Sequence, residues 1–183
     1  MSRSREPERE PEEPDPRREA RNAFALVLAK LGRRDHTEKE LAKALALKGF
    51  SAAAAESALA QAKREGLVND QRLADRVARI TARSGKRGPR RVVATLRQKG
   101  ISAETAQAAA KEAFDGSDEA ATSLVRFATR LLERARGSTL KEKRVRVLRS
   151  LMGRGFELSE ARRALRLAEN DGMTENRDND ADE

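Results

Sequence analysis

Glycine sets the register of this chain. Gly49, Gly100 and Gly155 recur after 51 and then 55 residues, each preceded by Lys or Arg and followed by Phe or Ile. Leu45, Leu96 and Leu151 stand four residues ahead of these glycines, and Leu41, Val92 and Val147 stand eight ahead. Self-similarity at such a period is the mark of a modular array, so one structural unit is expected three times.

The chemistry of a single copy is readable. Apolar residues four and eight positions before a glycine describe one face of a helix, and glycine then enters the left-handed cap conformation without steric cost. Phe50, Ile101 or Phe156 can fold back over the end just made, and Ser51 and Ser102 are placed to cap the next helix. Ahead of each block runs a further amphipathic segment, carried by Phe24, Val27, Leu28 and Leu31, by Leu73, Val77 and Ile80, and by Leu124, Phe127 and Leu131. No stretch alternates long enough for a sheet. The expectation is an all-α chain of three tandem three-helix repeats (20–68, 69–116 and 117–168) forming an elongated, curved array. Large apolar residues are few and Ala fills much of each face, so each small unit should lean on its neighbours.

Charge is uneven along the chain. The net charge is +9, but residues 1–19 hold five Arg against seven acids and residues 169–183 one Arg against seven. The middle therefore carries 33 basic against 16 acidic residues, a balance suited to a polyanionic partner. Arg-rich, Ala-rich coding bias accounts for some of this excess, though not for its clustering. Both ends, 1–19 and 169–183, are expected to be disordered, being too polar to offset their ordering entropy. The N-terminal stretch lacks the apolar core of a secretory signal, and no run is long enough to span a membrane. A soluble, cytoplasmic monomer is the expectation.

Catalytic constellations are missing. With no Cys and one His, thiol chemistry and the usual zinc sites are excluded, and neither metal nor cofactor is expected. His36 is expected to be a turn residue beside a Thr37 N-cap. "GKRGPRR" lacks the spacing of a phosphate-cradling loop. The chain is not expected to be an enzyme. Base stacking and base-edge reading are disfavoured too, because four of the five Phe sit at core spacing and the third helix of the first copy is mostly Ala.

What remains is a cationic step. "ARSGKRGPRRVVATLRQKGIS" (82–102) places Arg83, Lys86, Arg87, Arg90 and Arg91 around Gly88-Pro89, a natural helix start. Bases at the positive end of a helix oppose its dipole, which suggests a receptor for phosphate or carboxylate. Arg97 and Lys99 extend the surface. A second cluster, "KEKRVRVLR" (141–149), occupies the equivalent helix of copy three, with Lys141, Arg144 and Arg146 expected outward while Val147, Leu148 and Leu151 point in. A solubilising face is the plain alternative, but two clusters on equivalent helices favour binding.

"HTEKELAKALALKGF", "GLVNDQRLADRVARITARSGKRGPRRVVATLRQKGIS" and "KRVRVLRSLMGRGF" together resemble the bacterial regulatory protein family RecX, over about residues 20–168. The most specific elements are Gly66 to Ala74 and Gly88 to Gly100. The resemblance implies an elongated helical modulator that lies in the groove of the RecA filament on single-stranded DNA. It implies inhibition of RecA ATP hydrolysis, strand exchange and coprotease activity, and so a part in recombination, DNA repair and the SOS response. By position, Arg83, Lys86, Arg87, Arg90 and Arg91 would face the filament or its DNA, and so would Lys141, Lys143, Arg144 and Arg146 of the third repeat. Two alternatives stand beside it: a nonspecific DNA-binding protein acting directly through its basic face, and a helical adaptor for another acidic protein.

Overall fold

The computed structural model describes residues 15–137 and 139–179, with side chains described through Asn170. Among the described residues there are nine helices and no strand. They are α1 Pro16–Leu31, α2 Glu38–Leu47, α3 Ala52–Arg64, α4 Asp70–Ser84, α5 Pro89–Gln98, α6 Ala103–Phe114, α7 Asp118–Glu133, α8 Leu140–Gly153 and α9 Leu158–Asn179. The all-α expectation holds. Two compact units divide the chain, one ending at Asn69 and the other beginning at Asp70. In the first, α1 lies along α3 and α2 closes on both. In the second, α4, α5 and α6 form one set and α7, α8 and α9 another, with α4 against α7 joining them.

The repeated glycine does what its register requires. Gly49, Gly100 and Gly155 adopt φ of 80°, 94° and 90°. In each copy the residue after the glycine donates its N–H to the carbonyl five back: Phe50 to Leu45 (3.3 Å), Ile101 to Leu96 (3.1 Å) and Phe156 to Leu151 (3.3 Å). Each glycine N–H donates three back, to Ala46, Arg97 and Met152, which completes the double bond of a Schellman cap. The next helix starts at once. Ser51 Oγ accepts from Ala54 N and Ser102 Oγ from Thr105 N, while Thr37 and Glu40 form a reciprocal capping box ahead of α2. Leu41, Leu45, Val92, Leu96, Val147 and Leu151 are all buried, as their spacing predicts.

The other helical face differs from expectation. On α4 the buried seam is Ala74, Ala78 and Ala82, while Leu73 and Val77 sit half-buried at its rim and Ile80 is 62% exposed. Leu28 of α1 is likewise exposed, beside buried Ala23 and Val27. Small residues four apart let α4 approach α6 and α7 closely, so the seam selects Ala and moves the bulky residues aside. Helical periodicity located the stripe to within a residue or two but could not rank Ala above Ile as core.

Both expected tail boundaries shift toward the termini. Asp15 caps α1 by accepting from Arg17 N, Pro16 occupies the first turn, and Glu19 reaches Ser51, so residues 16–19 are helical. At the other end α9 continues through residues 169–179 beyond a stretch anchored by Ala161, Ala164, Leu165 and Ala168. Residues 1–14 and 180–183 lie outside the described residues. No described helix is long and apolar enough to cross a membrane.

Candidate functional site

The cationic step is built on a backbone junction. Gly85 ends α4 at φ 63° against α7, where a Cβ would meet the Ser123 carbonyl and lie 2.9 Å from Leu124 N. Gly88 opens α5 against the end of α8, where a Cβ would lie 2.5 Å from the Gly155 carbonyl carbon and from Phe156 N. A Cβ on Gly155 would in turn lie 2.6 Å from Arg91 N. The loop carrying Lys86 and Arg87 is thus wedged between two backbones that admit no side chain at Gly85 or Gly88.

Hydrogen bonds fasten the same junction. Gly88 N donates to Arg154 O at 2.9 Å, and Arg90 N donates to Gly155 O at 3.3 Å. The start of α5 therefore receives carbonyls from the end of α8, and opposite dipole ends meet. This corrects the expectation of an open helix start waiting for an anion. Those donors are used within the chain, and the positive field comes from side chains alone.

The predicted cations divide into two groups. Arg83 Nε lies 3.3 Å from Glu119, Arg90 pairs with Glu157, and Arg144 grips Glu169 with two bonds of 2.6 and 2.8 Å. The Glu169 carboxylate, by hydrogen bonding and then by charge, raises the Arg144 pKa above its already high ordinary value. Each of these arginines is solvent-exposed, so its ion pair is screened by water and salt and a phosphate-rich ligand can compete for the cation. Lys86, Arg87 and Arg91 are exposed, and among the described residues no carboxylate lies within ion-pair distance of them. The Arg91 backbone abuts Gly155 and the Arg154 carbonyl accepts from Gly88 N at the same junction, while the Arg154 guanidinium lies 5.2 Å from the centre of the Phe127 ring.

Other predicted residues stand apart. Arg97 shares the Arg90 face of α5 with exposed Ala94 between them, whereas Lys99 is half-buried at the helix end and already engaged. On α8, Lys141, Arg144 and Arg146 are exposed as expected and Lys143 is half-buried. They do not form one face: at about 100° per residue, Arg144 and Arg146 point to opposite flanks. Arg154 lies about 12 Å along the helix axis from Arg146.

Sequence reasoning missed the junction role of the Arg154 carbonyl and of Gly85 and Gly88. The local signal for Gly155 was present, but its contact with Arg91 spans more than sixty residues of chain. His36 lies beside its expected N-cap, with Nδ1 3.5 Å from Glu40. The Phe residues remain with the cores: Phe156 is buried and Phe24, Phe50, Phe114 and Phe127 are half-buried against them.

Comparison with known proteins converges on one family. Residues 23–61 match the first three-helix domain of RecX and residues 69–109 match its second three-helix domain. Regulatory protein RecX of Pelodictyon phaeoclathratiforme is 31% identical over 148 residues, covering 81% of this chain and 89% of that protein. Regulatory protein RecX of Xanthomonas axonopodis pv. citri is 36% identical over 160 residues, covering 85% and 95%. The crystal structure of RecX from Lactobacillus salivarius superimposes with a TM-score of 0.76 over 84% of this chain and 98% of that one, at 19% identity, which speaks to the fold.

Proposed function

The chain belongs to the RecX family of regulatory proteins, and from that premise we propose that it binds the RecA filament on single-stranded DNA and restrains its ATP hydrolysis and strand exchange. It acts in the cytoplasm by occupying a surface, without catalysis. The observation that carries this reading is the exposed set of Lys86, Arg87 and Arg91 on the locked junction of α5 with the end of α8. A rigid scaffold spares the ordering cost of binding, and three exposed cations close in sequence on it match a run of phosphates or carboxylates. Arg83, Arg90, Arg97 and Arg144 add contacts that combine along a repeating partner without any single dominant one.

The experiment compares equilibrium binding to naked and to RecA-coated single strands at physiological salt. Preference for coated strands supports the reading, and equal or weaker binding to them contradicts it. Direct, nonspecific DNA binding is the second reading, favoured by the excess of 33 basic over 16 acidic residues in the middle of the chain. If Lys86, Arg87 and Arg91 alone meet phosphates, log affinity for naked strands should fall with log salt at a slope of about −2.

A further inference from the structure

Helix α8 carries more apolar surface than its own bundle covers. Val147 and Leu151 are buried against α7 and α9, and Leu148 is half-buried at the edge of that core. At about 100° per residue the apolar arc continues outward from Leu148 through Met152 to Val145. Val145 and Met152 are both 49% exposed. Together with Lys141 these residues fall at spacings of four, three and four, the seam of a helix prepared to meet another helix. Arg149 borders the strip on one side and exposed Lys141 continues it. Of the acids around α8, Glu142 turns back toward Gly137, with Oε2 3.4 Å from where a Cβ there would stand, and Glu169 is held by Arg144.

We propose that this outer face of α8 is a protein-docking surface for an acidic amphipathic helix, whose apolar residues cover Val145, Leu148 and Met152 while its carboxylates meet Lys141 and Arg149. Charge complementarity selects that occupant. A second copy of this face would oppose cation to cation, and bare nucleic acid offers nothing to cover the apolar strip. The inference goes beyond the reading above by separating two surfaces: the junction patch meets anions through charge alone, and the α8 strip meets protein. Helix-in-groove recognition of this type rests on anchors spaced over two turns, here about 10 Å from Val145 to Met152.

Two probes test it on the full chain. The first is a fluorescent alanine-based peptide with Leu at i, i+3 and i+7 and flanking Glu, titrated by anisotropy beside a version with Lys for Glu. The Glu peptide should bind with Kd on the order of 10 µM, and Val145→Ser with Met152→Ser should weaken it at least about tenfold. Lys141→Glu with Arg149→Glu should weaken it as well while favouring the Lys peptide. Unchanged affinity in the double Ser variant, no binding by wild type, or tighter capture by phosphatidylserine vesicles through the same residues would overturn the assignment. The second probe is RecA-coated against naked single strands. The Ser variant should lose affinity for coated strands and keep it for naked ones. Failure of the wild type on coated strands contradicts the filament reading and leaves the peptide result to decide the surface.

Discussion

Replacing Gly88 with Ala isolates the junction from every other glycine effect. Gly88 has φ −86° and ψ 173°, a conformation that Ala adopts freely, so no backbone strain is introduced. Considered alone, that change should stabilise by about 0.4–1 kcal/mol through the unfolded chain. Packing opposes it. The new Cβ would stand 2.5 Å from the Gly155 carbonyl carbon and Phe156 N, which are backbone atoms that no rotamer change can move. Overpacking of this kind costs about 1–3 kcal/mol. Separating the backbones also weakens the bonds from Gly88 N to Arg154 O and from Arg90 N to Gly155 O, each worth about 1 kcal/mol net. The net expectation is a loss of about 2–3 kcal/mol in the unit that begins at Asp70. Thermal unfolding should move down by about 8–12 °C at roughly 4 °C per kcal/mol. Gly49→Ala is the contrasting control, because its Cβ would meet nothing within 4 Å and only its φ of 80° is strained. Urea and thermal unfolding followed by circular dichroism measure both. A Gly88→Ala protein as stable as wild type, or more stable, would refute the close approach of α5 to the end of α8.

The α4 seam makes a paired forecast: Ala78→Leu should cost about 1–3 kcal/mol by overpacking, whereas Ile80→Ser, at an exposed position, should stay within about 0.5 kcal/mol, both read from urea midpoints. The link from Glu19 to Ser51 makes a pH forecast. The Ser51 backbone N–H, then its hydroxyl, lowers the Glu19 pKa, so its contribution is present above the unfolded value of about 4.3 and disappears as pH falls through the lower folded value. Wild type should therefore exceed Glu19→Gln in Tm at pH 7 and lose that margin progressively as the pH falls below the ordinary carboxylate range, and a constant margin across the range would contradict the bond. Among the cations, Arg87→Glu with Arg91→Glu should weaken filament binding more than Arg83→Glu, whose charge is already answered by Glu119, with helix content unchanged in both.

Much of the fold was legible because its determinants are local. A helix cap needs only a glycine, an apolar residue after it and a leucine four before, and all three copies display them within a dozen residues. The seam of Ala74, Ala78 and Ala82 was not legible, since its depth depends on how closely α6 and α7 approach. The candidate site was legible as composition and opaque as geometry. Arg83 through Arg91 are visibly cationic, but their pairing with Glu119 and Glu157, and the arrival of Gly155 beside Arg91, are tertiary contacts. The resemblance to RecX named a partner that charge and periodicity could never have named.

The most direct measurement is RecA ATP hydrolysis on single-stranded DNA with increasing amounts of the wild-type chain and of the Arg87→Glu, Arg91→Glu variant. Wild type should depress the rate at or below one chain per RecA, and the variant should need several-fold more for the same effect. An unaffected rate with folded wild type, or equal inhibition by the two proteins, would contradict the assignment of the junction patch as the binding surface.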